Sequence, residues 1–217
     1  MKSNDKPKIT RNKELTKRKL IDAVGEIFRK EGHTGLGVNK VARLAGVSKK
    51  MIYKHFNGSF NNLIEEYILE TDYWMIFGDR VQELIDNQSS SSQKLITDIL
   101  QNQFRYFYLD KQMQKLILWE VSTDSELMRS IHRTREATGQ KLLELTDQHF
   151  AGTGINFRAV AALLVAGIYY TILHTRFNGG VFSDIDLSTE EGREEMLRAI
   201  EMIVGWAYRA AETKDAS

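Results

Sequence analysis

One stretch limits what this chain can fold into more than any other: Asn39 to Phe56, NKVARLAGVSKKMIYKHF. It reads as two short helices joined by a tight turn. Val41, Ala42 and Leu44 give the first helix an apolar side. Ala45-Gly46-Val47 makes the corner, because glycine can take the left-handed conformation that stops a helix. Ser48 stands where an N-cap belongs, its hydroxyl able to accept from the free amides of the next turn. The second helix carries Lys49, Lys50, Tyr53, Lys54 and His55 outward and leaves Met51, Ile52 and Phe56 to face inward. Two helices, a glycine-bearing turn and a cationic second helix describe a helix-turn-helix that enters the DNA major groove. A helical hairpin with a basic surface would share the turn and the cap, so the pattern alone leaves that reading open.

Charge separates the chain into two parts. Residues 1–56 hold 15 Lys/Arg against 5 Asp/Glu (+10), and residues 57–217 hold 15 against 24 (−9), which together give the net +1. A basic first quarter on an acidic remainder suits an end that binds a polyanion and a body kept off it. Residues 1–13 are polar, charged and without period, which predicts a disordered arm that can reach phosphates or is simply solvated. Lys17, Arg18 and Lys19 sit early in the first helix, where the helix dipole offers a cation nothing. An external anion explains them; so does surface solubility.

The absence of cysteine excludes disulfides and thiolate metal sites. The N-terminus has no apolar signal-peptide core, and a cytoplasmic location is expected. The most apolar run, 159–173, is shorter than the roughly 20 residues a bilayer needs, so it reads as a buried helix and no membrane is expected.

Apolar spacing predicts an all-α chain. Helices are expected over 14–30, 38–45, 49–56, 60–86, 93–109, 112–121, about 125–150, 157–177 and 189–211. The 60–86 helix would join a DNA-binding head to a body, bending at Gly78. Asn57-Gly58 is a turn signal, Ser59 can cap the helix after it, and the serines at 89–92 mark a loop.

The wording Ala45-Gly46-Val47-Ser48, four residues, Tyr53, then His55-Phe56 resembles the N-terminal domain of the TetR family of bacterial transcriptional repressors. At motif level the resemblance runs from about Leu20 to Leu69 and includes Gly32-His33, Val41-Ala42 and Ile52-Tyr53. There are departures. Leu36-Gly37 replaces the usual helix-starting hydroxyl, Lys50 stands where a small residue is common, and Ser59 replaces a phosphate-holding Lys. Asn62 stands where Leu is usual.

The resemblance implies a three-helix helix-turn-helix DNA-binding domain over 1–58 and a helical effector-binding and dimerisation domain over 59–217. It implies DNA contacts from Asn39, Ser48, Lys49, Lys50, Tyr53, Lys54 and His55, His55 being alternatively a packed structural residue. It implies a homodimer through the last two long helices and a small-molecule effector in the body. Trp74, Phe104, Tyr108, Trp119, Tyr170 and His174 are the expected pocket lining, or else ordinary core. The function implied is a ligand-responsive regulator, a repressor on a palindromic operator. A protein of the same fold answering to a protein partner is the alternative. A helical-bundle enzyme is remote: none of the five histidines follows a Glu by three residues, and no HExxH or phosphate-loop motif is present. No cofactor and no metal are expected.

Overall fold

The computed structural model describes residues 6–77 and 91–213, with the backbone alone for 6–11. The described elements are α1 (Lys6–Glu31), a 3-10 turn (His33–Gly35), α2 (Val38–Leu44), α3 (Lys49–His55), α4 (Phe60–Thr71) and α5 (residues 73–77). They continue with α6 (Ser92–Leu109), α7 (Lys111–Ser122), α8 (Glu126–Phe150), α9 (Phe157–Asn178), the strands β1 (Val181–Phe182) and β2 (Ile185–Asp186), and α10 (Glu190–Glu212). The all-α class holds.

Two compact units divide the chain: one of residues up to Asp72 with Leu118–Arg133, the other of Tyr73–Ile117 with Thr134 onward. The boundary expected at 58/59 falls inside the first, which also holds α4. Helices α7 and α8 each give one end to each unit.

The first unit is built on α1. Leu20, Val24, Ile27 and Phe28 recur at helical spacing and are buried, as are Val41 and Ala42 of α2, Ile52 of α3, and Leu63, Ile64 and Ile68 of α4. Helices α1 and α4 cross tightly at Gly25, where a Cβ would come within 2.8 Å of the Tyr67 ring. Ion pairs flank the crossing: Lys17 with Glu66, and Arg18 with Glu70 at 2.8 Å. Lys17 and Arg18 thus have internal anions, and the external one offered for them is not needed. Trp119 of α7 closes the unit, stacked on His33 at 4.8 Å between centroids and set against Phe28 at 6.1 Å. Ser130 of α8 donates to Glu65 at 2.6 Å.

Three expectations for this part are corrected. Residues 6–13, taken as part of a disordered arm, are helical; Pro7 lies in the first turn, where its missing N–H costs nothing. The single helix over 60–86 is broken at Asp72, whose ψ of 134° is extended. Thr71 donates to the carbonyls of Tyr67 and Ile68 at 3.0 and 3.3 Å, and Asp is a favoured starter for the helix that follows. Leu44, expected on the apolar side of α2, is 46% exposed. Gly78 and Ser89–Ser90 lie outside the described residues.

In the second unit α6 packs on α9 and α10. Gln101 donates to the Leu197 carbonyl at 3.0 Å, and the Tyr208 hydroxyl to Ser92 at 2.9 Å. Asn156 and Thr189 cap α9 and α10 through their side chains. A two-residue hairpin that the sequence did not announce follows α9, pairing Val181 with Asp186 and Phe182 with Ile185. Its turn holds Ser183 and Asp184 at φ 50° and 61°, the positive values a tight hairpin demands.

Helix α9 is also corrected. It is 22 residues long, enough by length and composition to cross a membrane, and only 28% of its most apolar window is buried. Ala161, Leu164, Ile168 and Ile172 pack inside the unit, so one side belongs to the core. The other side is uncovered: Leu163, Tyr170 and Phe177 of α9 are exposed, as are Met202 and Trp206 of α10. Between the two helices runs a groove of about 410 Å³, lined by Val160, Leu163, Gly167, Met196 and Ile203 among others.

Candidate nucleic-acid interface

The corner between α2 and α3 forms as its residues dictate. Gly46 sits at φ 66°, and the amides of Gly46 and Val47 return to the carbonyls of Arg43 and Ala42 at 3.2 and 3.0 Å. Ser48 is extended, in the N-cap position of α3, and its carbonyl accepts from Met51 at 2.9 Å. Its hydroxyl makes no cap bond, against expectation; it is exposed and uncommitted. Ile52 and Phe56 anchor α3 in the core, which fixes Lys49, Lys50, Tyr53 and Lys54 on the outer side, all exposed. Asn39 is exposed on the first turn of α2. After α3, Asn57 takes φ 49°, and Ser59 caps α4 by accepting from Asn61 at 3.1 Å. Asn62, the residue out of pattern, donates to the Phe56 carbonyl at 3.2 Å and ties the turn down.

His55 is placed otherwise. Both ring nitrogens are buried and, among the described residues, without a hydrogen bond, so neither can meet a phosphate in this conformation. Burial, and then the charges of Lys13 and Lys54, push its pKa below the usual histidine value. It is a packed residue of the α1–α3 contact.

The cations of the first unit fall into two classes. Lys17, Arg18, Lys30 and Lys40 are paired with Glu66, Glu70, Glu26 and Glu31. Among the described residues, Arg43, Lys49, Lys50 and Lys54 have no carboxylate partner. Three of the paired cations tie helix to helix and Lys30 pairs within α1, whereas α3 keeps three lysines in seven residues uncompensated. Such a row attracts a polyanion, the more so where no local acid screens it.

The six side chains expected around an effector are divided between the two units. Trp119 belongs to the first unit, because it lies beyond the point where α7 passes from one unit to the other. The other five are in the second unit. Trp74 donates to the Tyr169 hydroxyl at 3.2 Å. Phe104 is buried and stacks on Tyr108, over which the Arg193 guanidinium lies at 5.1 Å. His174 packs against Phe182 at 4.8 Å, with Tyr170 beside it but 59% exposed. Sequence reasoning passed over Gln103, a fully buried amide in the middle of α6. The signal was there: a polar residue at an apolar position of the helical pattern.

Comparison with known proteins bears on the architecture. No protein-family profile matches the chain. It is 26% identical over 120 residues to Probable HTH-type transcriptional regulator YttP of Bacillus subtilis (strain 168). That match covers 55% of this chain and 56% of YttP, so the chain spans about half the length of the curated relative it matches. Among solved structures it is similar to the transcriptional regulator FadR from Bacillus subtilis in complex with stearoyl-CoA. That likeness has a TM-score of 0.62 at 15% identity, over 88% of this chain and 97% of FadR. NalD, the secondary repressor of the MexAB-OprM multidrug efflux pump in Pseudomonas aeruginosa, matches with a TM-score of 0.60 at 20% identity, over 86% and 96%. A TetR-like transcriptional regulator from Rhodococcus sp. RHA1 matches at 0.56 and 14% identity, over 87% and 93%.

The fold is that of the TetR-like transcriptional regulators. At these identities the likeness is one of architecture, and it extends over most of each chain. Within the TetR-like fold, α2 and α3 of this chain are the helix-turn-helix, and α9 and α10 are the last two long helices.

Proposed function

We propose that the chain is a DNA-binding transcription regulator, a homodimeric repressor whose hold on a palindromic operator is set by a small effector. The observation that carries this reading is the row of uncompensated lysines on α3, held outward by Ile52 and Phe56. Lys49 and Lys50 lie on the first turn, the part that meets base edges when a recognition helix enters the major groove. Lysine there donates to guanine O6/N7 or neutralises phosphate. Asn39 has the amide to pair with adenine. Tyr53, Lys54 and the free Ser48 hydroxyl are phosphate contacts. His55 supports the helix from inside. The DNA-contacting segment is 1–58; 59–217 supplies the supports, the effector site and the dimer contact.

Two copies are needed because one short helix reads too few base pairs. The apolar face of α9 and α10 is the surface by which they pair: a second copy would cover Leu163, Phe177 and Trp206, which one chain leaves in water. FadR was solved with stearoyl-CoA, and a small molecule bound in the second unit is the corresponding regulator here. It acts by favouring one of two spacings of the paired α3 helices, and must bind one shape better than the other. No catalysis is assigned to the chain, and it works in the cytoplasm.

The test is selection of genomic fragments by the purified protein, followed by footprinting. A twofold-symmetric site with half-sites about one DNA turn apart, roughly 34–36 Å, is the expected outcome. Recovery of no preferred sequence would remove the reading.

A further inference from the structure

The second unit contains a buried polar group whose hydrogen bonds go nowhere. Gln103 is 1% exposed, and among the described residues neither its amide nitrogen nor its carbonyl oxygen has a partner. Several other buried polar side chains of the unit make at least one hydrogen bond, although the Gln114 carbonyl oxygen and the His174 Nδ1 also have none among the described residues. Thr97, Thr146, Thr153 and Thr175 each donate to a carbonyl three or four residues back. Gln114, 2% exposed, donates to the Phe107 and Tyr108 carbonyls at 2.7 and 3.1 Å and so fastens α7 to the last turn of α6. Burial without a hydrogen bond costs stability, and an apolar side chain of the same shape avoids that cost. An amide at such a position calls for an explanation.

The surroundings suggest one. Gln103 lies four residues after Ile99 and four before Phe107, on the same face of α6. The Ile99 carbonyl accepts from Tyr73 at 3.0 Å, and the Phe107 ring packs on Tyr169 at 4.6 Å. Tyr73 in turn meets Phe77 and Tyr106 at 4.6 and 5.2 Å. A buried amide on the helix face that also carries Ile99 and Phe107, whose own partners are Tyr73 and Tyr169, fits the composition of a small-molecule site, mostly apolar with a few polar groups that fix orientation.

We propose that the Gln103 carboxamide is the polar anchor for an uncharged small molecule held among the aromatic side chains of the second unit. This deepens the reading of that unit as effector-binding and rests on it. The amide offers two N–H donors and one acceptor oxygen. A carboxylate would satisfy the donors and repel the oxygen; an ammonium would do the reverse. An alcohol or a primary carboxamide on an apolar body satisfies both. Arg135, a buried guanidinium of the unit that could hold an anion, has a partner of its own.

The experiment uses the full chain and four probes with one apolar tail: octanamide, 1-octanol, octanoate and octylammonium. Binding is read by thermal shift and by calorimetry on wild type, Gln103→Met, Gln103→Leu and Gln114→Met. Octanamide and octanol should raise the wild-type melting temperature, and the two charged probes should do so less. Both Gln103 variants should melt no lower than wild type without probe, while binding octanamide at least tenfold more weakly. Gln114→Met should melt lower, because it loses two made bonds. The proposal is overturned if the Gln103 variants melt as low as Gln114→Met, if they bind octanamide as tightly as wild type, or if octanoate binds best. Operator binding by probe-free wild type is measured in parallel. If it is intact while no probe binds, this proposal alone fails; if it is absent, the regulator reading fails too.

Discussion

The outer face of α3 and the paired faces of α9 and α10 are both left in water, and they differ in every other respect. The first presents Lys49, Lys50 and Lys54, with no carboxylate partner among the described residues. The second presents Leu163 at 76% exposure, Phe177 at 61% and Trp206 at 54%, around an apolar groove. Neither is what folding alone would select. A lysine row without counter-charge repels itself, and a large uncovered apolar face costs hydration free energy. On the proposed reading each surface has a partner of its own chemistry, a polyanion for one and a matching apolar surface for the other. On this account the two surfaces act together, since pairing through the second presents the first twice.

The most damaging test is charge on the apolar face. Leu163→Glu combined with Trp206→Glu should separate the copies and weaken operator binding by roughly 10²-fold or more, the loss expected when two linked contacts become one. Sedimentation and fluorescence anisotropy measure the two effects; a double variant that stays dimeric breaks the comparison. Next in size is the cationic face. Lys49→Ala and Lys50→Ala should each cost about 1–3 kcal/mol on the preferred site if they read bases, with stability unchanged. Equal weakening on all duplexes would make them phosphate contacts. Gly25→Val tests the scaffold beneath: forcing a branched side chain against Tyr67 should destabilise by about 1–3 kcal/mol, seen in the denaturation midpoint. Arg18→Ala should cost less, under about 1 kcal/mol, because its pairs with Asp22 and Glu70 are exposed.

The smallest effect is a pH dependence from His55. Its folded pKa lies below the ordinary value of 6.5, chiefly through burial. Above 6.5 the ring is neutral in both folded and unfolded chains, and stability is flat. As pH falls through 6.5 the unfolded chain takes up a proton that the fold resists, so stability drops until the folded pKa is passed. Melting temperatures between about pH 5 and 8 should show that slope, and His55→Phe should flatten it.

Local chemistry was legible in the sequence; long-range placement was not. The α2–α3 corner, the Asn57-Gly58 turn, the Ser59 cap and the helices from α6 to α10 follow from spacing and turn residues. The break at Asp72 was hidden because apolar residues continue on both sides of it. Trp119 reads as one more body aromatic until the fold brings it to His33, which precedes it by more than eighty positions. His55 looked outward by helical phase, yet both ring nitrogens turned inward, beside Lys13 and Lys54. Gln103 stands at an apolar position of the α6 pattern, but no pattern shows where a side chain's hydrogen bonds end.

The salt dependence of binding to the selected operator tests the central claim most directly. Three lysines on each of two α3 helices would displace about six counterions, so log K should fall against log salt with a slope of about −5, at two chains per duplex. A flat salt response, or a complex with a single chain, would contradict the account.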